Sequence, residues 1–380
     1  MHMQKTIAID IRLLGKRRTG DEMVFRHLTR GVLALDRENR YLLLTDETDR
    51  GRLTTLYHEL DIVGRENVEI VTLSGRNRFA WNLFSVPRFL MRQRIDVFHT
   101  QYILPLFVPR RTRVVLHIHD VSFRAMPWMI GWKDRLFLSA LIPHALRRAD
   151  TIVVPSQFTR DEIVGYYGVG SSKVAVVPNA LGEGFDREAT DAEVGVAREH
   201  YGLPERYIVA VGTLQPRKNL PLLIRAVAKI REQDPSLQLV LVGNRAGHHF
   251  DSEIDHAIAE TRLGDAVVFP GFVAAGDLAA VVRGALVYAF PSRYEGFGIP
   301  LLEAMSQGVP VAASDIPCLR EVAGEAAVYF DPTRVDACAE ILYTLTIDSD
   351  LRSRLIGAGK SCIARYSWER SAQLLAEIYA

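Results

Sequence analysis

Two glutamates flank a segment with two glycines, EGFGIPLLE, which runs from Glu295 to Glu303. The glycines let the backbone turn tightly and approach a ligand closely. Because Pro300 stands where the first turn of a helix tolerates proline, Glu295 is expected in a loop and Glu303 within a helix. Carboxylates so placed suit the recognition of different hydroxyl groups of one ligand. The two glutamates need not face each other as an acid–base pair. The alternative is that this stretch only caps a helix.

Two adjacent cations, Arg217 and Lys218, follow a predicted strand and precede a predicted helix in the segment GTLQPRKN. Cations are unfavourable at a helix start, because the helix dipole favours acids there. An anionic ligand would relieve the conflict, with Arg offering a fork and Lys a point charge to phosphate oxygens. The pair therefore predicts a diphosphate site. The alternative is a solvated turn with Asn219 as the helix cap.

Two weaker candidates lie in the first half of the chain. His119, in HDVSF, follows a predicted strand and suits a sugar hydroxyl, but a structural histidine fits equally well. The loop from Gly15 to Gly20 precedes a predicted helix and would expose N–H groups to an anion. It lacks a G-x-G-x-x-G pattern, and the acidic pair Asp21-Glu22 is also compatible with simple helix capping.

A repeating strand–helix pattern positions these residues. Apolar, β-branched runs alternate with amphipathic stretches, which is typical of parallel sheets covered on both faces. The chain is therefore predicted to be α/β, with two doubly wound, Rossmann-like domains facing across a cleft and with ligands at the carboxyl ends of strands. The predicted strands cover residues 6–11, 40–44, 68–72, 96–100, 113–118, 151–154, 173–177, 207–211, 238–242, 266–269, 286–290 and 309–313.

A polar interval beginning at Pro178 interrupts the pattern. The predicted organisation is an N-terminal, acceptor-side domain (1–178), a linker (179–205), a C-terminal, nucleotide-sugar-binding domain (206–365) and a final helical segment (366–380).

The composition is that of a globular protein, with 48% hydrophobic and 24% charged residues. The net charge of +1 is unevenly spread, since residues 1–180 carry +9 and the remainder −8. Basic clusters such as Lys16–Arg18 and Arg110–Arg113 suit anionic lipid or a phosphate-bearing acceptor, with solvated surface as the alternative. No nucleic-acid reader motif accompanies the charge, so no nucleic-acid partner is predicted.

Three scattered cysteines without a C-x-x-C pattern argue against a disulfide framework or a zinc site. The N-terminus reads as a first strand and not as a signal peptide. Charged residues interrupt the apolar stretch 126–146, which excludes a spanning helix there. The predicted location is cytoplasmic, with peripheral attachment at the inner membrane surface left open.

Taken together, these segments resemble a family 4 retaining glycosyltransferase (glycosyl transferases group 1) with the two-domain GT-B fold. The spacing of Glu295 and Glu303 matches the family's E-x7-E motif, and its combination with Arg217-Lys218 is highly specific. The resemblance spans the whole chain through Gly20, HDVSF (His119–Phe123), VPNA (Val177–Ala180), GTLQPRKN (Gly212–Asn219), PGFV (Pro270–Val273) and EGFGIPLLEAM (Glu295–Met305).

The resemblance implies a role for each segment. Arg217 and Lys218 would hold the donor diphosphate, Glu303 the ribose hydroxyls and Glu295 the transferred sugar, while His119 would contact that sugar from across the cleft. The last helix, 368–379, would cross back to the N-terminal domain. The further implied donor contacts are Gly20, Gly212, Phe272, Val273, Gly296, Phe297, Gly298, Ile299 and Leu302. Two departures are Thr213, where some members have Arg, and TGDEM, where many have G-G-I-G-R.

No D-x-D motif follows a predicted strand, so neither a metal nor another cofactor is expected, and Arg217 and Lys218 would stabilise the leaving diphosphate. In similar enzymes the anomeric configuration is retained by same-face attack, with the diphosphate taking the acceptor's proton. The predicted reaction moves a mannose-type or glucose-type hexose from a GDP- or UDP-linked donor to a glycan or polyprenyl-linked acceptor, in cell-surface polysaccharide or glycolipid assembly.

Three other functions are alternatives to this reaction. A GT-B-fold sugar-nucleotide epimerase would share the nucleotide pocket but need two in-line catalytic groups, and a catalytically silent scaffold would only bind the nucleotide sugar. An NAD-dependent dehydrogenase is disfavoured by the missing G-x-G-x-x-G. Aromatic residues in two segments suit either interior packing, which is favoured, or a membrane surface; they are Trp81, Phe84, Phe89, Trp128, Met129 and Trp132.

Overall fold

The structure is a computed structural model that describes residues 4–16, 19–75, 77–129, 131–245 and 250–380. The chain divides into two compact units, the first formed by Met1–Asn179 with Ser367–Ala380 and the second by Ala180–Tyr366. Each unit is built on one parallel sheet whose strands are connected through helices, so the prediction of two Rossmann-like domains is confirmed.

Unit 1 contains a seven-stranded sheet in the order β3-β2-β1-β4-β5-β6-β7. The strands are β1 (Thr6–Asp10), β2 (Arg40–Thr45), β3 (Val68–Thr72), β4 (Val97–Gln101), β5 (Arg113–His117), β6 (Thr151–Val154) and β7 (Val174–Val176). The helices are α1 (Thr19–Leu35), α2 (Arg50–Glu59), α3 (Arg78–Ala80), α4 (Val86–Arg92), α5 (Ser122–Ala125), α6 (Trp132–Arg148) and α7 (Gln157–Tyr167), with a π-helical turn (Trp81–Ser85) before α4.

Unit 2 begins with α8 (Asp191–Tyr201) and contains a six-stranded sheet in the order β10-β9-β8-β11-β12-β13. The strands are β8 (Tyr207–Val211), β9 (Gln238–Val242), β10 (Val267–Gly271), β11 (Val287–Phe290), β12 (Val311–Ser314) and β13 (Ala327–Phe330). The other helices are α9 (Leu220–Arg231), α10 (Glu253–Thr261), α11 (Ala275–Arg283), α12 (Ile299–Ser306), α13 (Pro317–Ala323), α14 (Val335–Ile347) and α15 (Ser349–Ile363).

The strand order reverses once in each sheet, between β1 and β4 in unit 1 and between β8 and β11 in unit 2. Consecutive residues of the central strands are buried, as in the fully buried run Val287–Phe290, because both faces of the sheet are covered. The connections on the two sides of a reversal leave in opposite directions, which opens a crevice at the carboxyl ends of the strands. These two switch points are where ligand sites are expected.

The C-terminal helix α16 (Trp368–Tyr379) belongs to unit 1, where it packs on α1. Gly31 of α1 allows the close approach, because a Cβ there would lie 2.6 Å from the Cβ of Ala372. The ring of His27 stacks on Trp368 at 4.8 Å, and Ser371 Oγ donates a hydrogen bond to the carbonyl of Pro178 at 2.6 Å.

The interval 179–205 differs from the predicted linker. It holds helix α8, which begins with a capping box in which Thr190 and Glu193 satisfy each other's backbone N–H groups. Phe185 and Ala197 are buried in the core of unit 2, so the interval is part of that unit. The amphipathic stretches of the sequence predict helices at residues 22–35, 81–93, 134–147, 158–166, 220–232, 252–261, 277–283, 300–307 and 336–345, besides the last helix. Strand β13 and helices α2, α5, α13 and α15 are further elements that this pattern does not predict. Among the described residues, no helix is long and apolar enough to cross a bilayer.

Candidate functional site

Asn219 ties together the two loops at the switch point of unit 2. Its backbone is left-handed (φ 54°), and its side-chain amide donates to the carbonyls of Pro291 and Pro332 at 3.1 and 2.9 Å. Its side-chain oxygen accepts from Arg293 Nε at 3.0 Å. Asn219 occupies the N-cap position of α9, but its side chain makes no capping bond to that helix and is buried, so the turn is not the solvated one of the alternative. Asn219 instead fixes the loop after β8 against the loop after β11.

An ion cluster occupies this junction. Glu295 receives Arg217 Nη1 at 2.6 Å on one carboxylate oxygen and Lys218 Nζ at 2.8 Å on the other. Arg217 also donates to the carbonyl of Tyr294 at 3.0 Å. Glu295 is only 7% exposed; burial alone would raise its pKa, but the charges of Arg217 and Lys218 lower the pKa to about 2. The carboxylate therefore stays ionised and holds both cations in fixed positions.

The aliphatic part of Lys218 is enclosed by its surroundings. A Cβ on Gly212, whose φ is +148°, would lie 3.3 Å from Lys218 Cε, and the ammonium group lies 4.8 Å from the centre of the Phe290 ring. The ring face attracts the cation. Gly212 thus gives room for the lysine whose charge the sequence assigned to a diphosphate.

Glu303 lies on α12, the helix that follows the loop of Glu295, and its pKa is shifted in the opposite direction. Burial raises the pKa of Glu303 to about 7, although the Lys218 charge acts to lower it. The backbone of Gly182 runs directly against this carboxylate, since a Cβ added there would overlap Glu303 Oε1. The carboxyl group of Glu303 is therefore about half ionised near pH 7, and a ligand that donates a hydrogen bond to it would favour the charged form.

The turn between the two glutamates is built from glycine and buried apolar side chains. Gly298 has φ +108° and a Cβ there would lie 2.9 Å from Leu319, so glycine is required. The side chains of Phe297, Leu302 and Val273 are buried in the core of unit 2, and Ile299 packs against that core. Contacts from these residues and Gly296 to a donor are therefore limited to the backbone or a partly exposed edge. Phe272, by contrast, is 78% exposed.

His119 follows β5 at the carboxyl edge of the sheet in unit 1. Its Nε2 lies 2.7 Å from Gln101 Oε1, at the end of β4. The ring stacks on His117 at 4.4 Å, and His117 stacks on His99, whose Nδ1 meets the Tyr379 hydroxyl at 2.5 Å. Burial, and then the charge of His119, lower the pKa of His99 to about 3 and that of His117 well below its usual value. Two neutral histidines thus support His119 from below.

The glycine loop of unit 1 differs from its prediction. Helix α1 begins at Thr19, so Gly20 lies in its first turn and not in a loop, and nothing lies within 4 Å of a Cβ added there. Glu22 accepts a hydrogen bond from the Gly15 N–H at 2.7 Å, which ties the loop to the helix. Arg17 and Arg18 lie outside the described residues.

The aromatic residues of the two segments in unit 1 differ in their burial. Trp81 is completely buried, whereas Phe84 and Trp128 are 69% and 59% exposed. Phe89 is half-buried, and the side chains of Met129 and Trp132 lie outside the described part of the chain. Within the described ranges, no group of three or more His, Cys, Asp or Glu residues is arranged to hold a metal ion.

The sequence analysis did not predict two features of the unit 2 site. One is the contact of Gly182 with Glu303, and the other is the set of hydrogen bonds by which Asn219 joins two loops. Gly182 was seen only as part of a polar interval, and only its spatial neighbour Glu303 gives it meaning. An asparagine directly before a proline-containing helix start was the available signal for a left-handed junction at Asn219.

Several known proteins are similar to this chain in sequence or in fold. The model of Glycosyltransferase Family 4 matches residues 20–181, and that of Glycosyl transferases group 1 matches residues 197–361. O-antigen chain mannosyltransferase B of Escherichia coli is 31% identical over 269 residues, which is 69% of each chain. The serotype-specific mannosyltransferase WbdA of Escherichia coli is 29% identical over 60% of this chain, but that match covers only 28% of WbdA. The structure of Anabaena HepE in complex with UDP-glucose superposes with a TM-score of 0.75 over 99% of both chains, at 18% identity.

Two doubly wound units with polar side chains at each switch point are thus the GT-B architecture of glycosyltransferases. The chain belongs to glycosyltransferase family 4.

Proposed function

We propose that this enzyme is a metal-independent, retaining hexosyltransferase that acts in cell-surface polysaccharide or glycolipid assembly. It moves a mannose-type hexose, or in second place a glucose-type hexose, from a nucleotide diphosphate sugar to a hydroxyl of a glycan or polyprenyl-linked acceptor. The similarity to a mannosyltransferase of O-antigen chains supports mannose, and the likeness to HepE with UDP-glucose supports a nucleotide diphosphate sugar.

The observation that carries the proposal is the Arg217–Glu295–Lys218 cluster at the switch point of unit 2, in which Glu295 and Lys218 are buried. Two cations held by one carboxylate leave a local charge of +1 among these three residues. A diphosphate leaving group gains charge as the glycosidic bond breaks, and preorganised cations stabilise that charge without a metal ion or proton transfer. Glu303 and the Gly182 backbone beside it would then receive the ribose hydroxyls.

The transfer itself would use no protein nucleophile. Both oxygens of Glu295 face cations, so Glu295 is a support for the diphosphate site and is poorly placed to attack an anomeric carbon. In a same-face displacement, the acceptor oxygen forms the new bond while the bond to the diphosphate breaks, and the diphosphate oxygen takes the acceptor's proton. His119 would contact the sugar as it moves.

A thermal-shift panel of GDP-mannose, UDP-glucose, UDP-galactose and UDP-GlcNAc identifies the donor, because a ligand that binds the folded state raises the melting temperature. The shifting donor is then incubated with polyprenyl-diphosphate-linked sugars, with and without EDTA, and the product's anomeric configuration is read by NMR. We expect transfer with retention in both conditions. An inverted product contradicts retention, and loss of transfer in EDTA contradicts metal independence. ManNAc formed from UDP-GlcNAc would indicate an epimerase, and donor binding with neither transfer nor hydrolysis a scaffold.

We further propose that unit 1 contacts an anionic membrane surface to reach a lipid-linked acceptor. The support is the charge of +9 in residues 1–180 together with exposed Phe84 and Trp128. Flotation with vesicles of phosphatidylglycerol and phosphatidylcholine tests it. We expect co-flotation that needs the anionic lipid and that weakens in Phe84→Ser/Trp128→Ser; equal behaviour with phosphatidylcholine alone would contradict it.

A further inference from the structure

A column of four aromatic rings lies in the interior of unit 1. It begins at Tyr379, the last residue of α16, and passes through His99 on β4 and His117 on β5. It ends at His119, which follows β5 at the carboxyl edge of the sheet. All four side chains are buried. Of the four, the proposed reaction uses His119 alone, so three buried polar rings are left without a role.

Ring packing holds the middle of the column. Both ring nitrogens of His117, and Nε2 of His99, have no hydrogen-bond partner in the part of the chain that the structure describes. The centre of the His117 ring lies 4.4 Å from that of His119 and 5.9 Å from that of His99, at interplanar angles of 28° and 19°. Phe25 of α1 meets His117 with its edge at 6.0 Å. The orientation of the His117 ring thus depends on the two histidines beside it.

Hydrogen bonds anchor the column at its two ends. At the carboxyl edge, Nε2 of His119 lies 2.7 Å from Gln101 Oε1. At the other end, Nδ1 of His99 lies 2.5 Å from the hydroxyl of Tyr379. Burial lowers the pKa of His99 to about 3 and raises the pKa of Tyr379 well above its usual value, so this bond joins two neutral groups. The hydroxyl of Tyr379 is therefore the inner anchor of the column.

The position of Tyr379 is itself fixed by contacts of the chain end. Lys5 Nζ donates to the carbonyl of Tyr379 at 3.3 Å and also to that of Ala380. Arg113 Nη2 donates to the carbonyl of Ile378. The last carbonyls of a helix have no partner within the helix, and here two cations satisfy them. The last turn of α16 is thus tied to the residue before β1 and to the first residue of β5.

We propose that Tyr379 is a positioning residue for the transfer reaction. Through the two inner histidines, it holds the ring of His119 in the orientation that meets the transferred sugar. The inference rests on the proposed function, because the sugar contact of His119 belongs to it. Tyr379 takes no part in bond breaking or proton transfer. Helix α16 therefore does more than cover α1, since its last residue supports a residue of the site.

Tyr379→Phe tests the proposal in the full chain, because it removes the hydroxyl and keeps the ring. Tyr207→Phe is the matched control, since Tyr207 is a similarly buried tyrosine of unit 2 whose hydroxyl donates to the carbonyl of Val281 at 2.6 Å. Both variants should lower the melting temperature by a few degrees, because each leaves a buried group without its hydrogen-bond partner. Tyr379→Phe alone should affect His119.

The first measurement is the NMR signal of His119 in protein labelled with ¹³C,¹⁵N-histidine, which needs no substrate. Among the eleven histidines, His119 is identified by the ring resonance that is missing in His119→Ala. We expect Tyr379→Phe to shift this resonance, because the ring stacked on His119 at 4.4 Å changes the local magnetic field when it turns. Tyr207→Phe should leave the resonance in place.

The second measurement is steady-state transfer from GDP-mannose or UDP-glucose, whichever the thermal-shift panel identifies, to a polyprenyl-diphosphate-linked sugar. Tyr379→Phe should lower kcat about tenfold and change the donor KM by less than about twofold, because a misplaced His119 loses a contact made as the sugar moves. In the His119→Ala background, Tyr379→Phe should cause no further loss of kcat, because the hydroxyl acts through that ring.

The proposal is overturned if the His119 resonance stays in place in Tyr379→Phe, if that variant keeps the wild-type kcat, or if its loss of kcat is the same without the His119 ring. Normal turnover by both the wild type and Tyr379→Phe refutes the role of Tyr379 alone. A wild-type protein that binds a donor but neither transfers nor hydrolyses it refutes the proposed function, and the role of Tyr379 with it.

Discussion

The two switch points carry opposite local chemistry on the same sheet architecture. In unit 2, Arg217 and Lys218 both pair with one buried carboxylate, that of Glu295. In unit 1, a cavity of about 720 Å³ is lined by more carboxylates than cations among the residues that the structure describes. A site that holds a diphosphate needs fixed positive charge, whereas a site for a sugar ring needs space and hydrogen-bond acceptors.

The local charges also oppose the net charges of the two halves. Residues 1–180 carry +9 but line an acidic cavity, and the remainder carries −8 but holds the cation pair. Net charge describes the long-range field, which governs association with surfaces and solubility. The sign of a binding site follows instead from the few residues at the strand ends.

The largest expected effect on activity comes from removing one cation of the unit 2 site. Lys218→Ala should lower kcat/KM about 10²–10³-fold, because it removes a preorganised charge from the departing diphosphate. The unfolding free energy should fall only by about 2 kcal/mol, since Arg217 still pairs with Glu295. Steady-state kinetics and thermal melting measure the two quantities.

Lys229→Ala is the matched control, because Lys229 is an exposed lysine of unit 2 that pairs with Asp336 at 2.5 Å. It should change neither quantity noticeably. Turnover of Lys218→Ala within about threefold of the wild type would remove the electrostatic basis of the proposed reaction.

Acidification should change the stabilities of the two units in opposite directions. His99 has a folded pKa of about 3, below its usual 6.5, so its contribution to stability is present above pH 6.5 and is lost as the pH falls. His117 changes in the same sense. Glu303 has a folded pKa of about 7, above its usual 4.5, so its contribution is present below pH 4.5 and is lost as the pH rises through 7. From pH 8 to pH 5, unit 1 therefore loses stability and unit 2 gains it.

The expected loss in unit 1 by pH 5 is about 2 kcal/mol from His99, at about 1.4 kcal/mol per pH unit below 6.5, and His117 adds to the loss in the same direction. Hydrogen exchange of the whole chain, corrected for the intrinsic pH dependence and resolved by peptide, reports each unit separately. Glu303→Gln should abolish the gain in unit 2 and leave unit 1 unchanged. A parallel loss of protection in both units would contradict the assignment.

Much of the fold could be predicted because the strands are short, continuous apolar runs at regular intervals. All seven strands of unit 1 and five of the six in unit 2 correspond to such runs. The missing strand is β13, a four-residue strand at the edge of the sheet in unit 2. Helix α15 was missed because glycines interrupt its apolar positions.

The candidate site could be predicted only as far as strand ends allow. Arg217, Lys218 and Glu295 were found because each follows a central strand. The double ion pair of Glu295 was not, because it joins loops 77 residues apart in the chain. Asp10 also ends a strand, but its anchor, Trp81, lies 71 residues away and was read as a packing or membrane residue. Pairings of this kind depend on strand order, which local sequence does not encode.

The close approach of Gly182 to Glu303 gives a sharper test of how tightly the unit 2 site is packed. Gly182→Ala should destabilise the protein by about 1–3 kcal/mol and weaken nucleotide-sugar binding, because the new methyl group displaces the Glu303 carboxylate. Gly195→Ala is the matched control, since Gly195 lies within helix α8 with open space around it, and it should stabilise by about 0.5–1 kcal/mol. Thermal melting with and without the donor distinguishes the two. A Gly182→Ala protein that binds the donor normally would show that Glu303 is not part of the pocket.

The smallest expected effect concerns the charge state of Glu303 when a donor binds. Ribose hydroxyls donate hydrogen bonds, which favour the ionised carboxylate. Because the pKa of Glu303 is about 7, the affinity for GDP-mannose or UDP-glucose should rise as the pH increases from 6 to 8. The ionised fraction grows from about one tenth to nine tenths, so the gain approaches about tenfold. The esterified diphosphate of these donors has no second ionisation in this range, and Glu303→Gln should give a flat profile by calorimetry. A wild-type profile as flat as that of the variant would assign the ribose contact elsewhere and leave Arg217 and Lys218 as the main charged anchors of the donor.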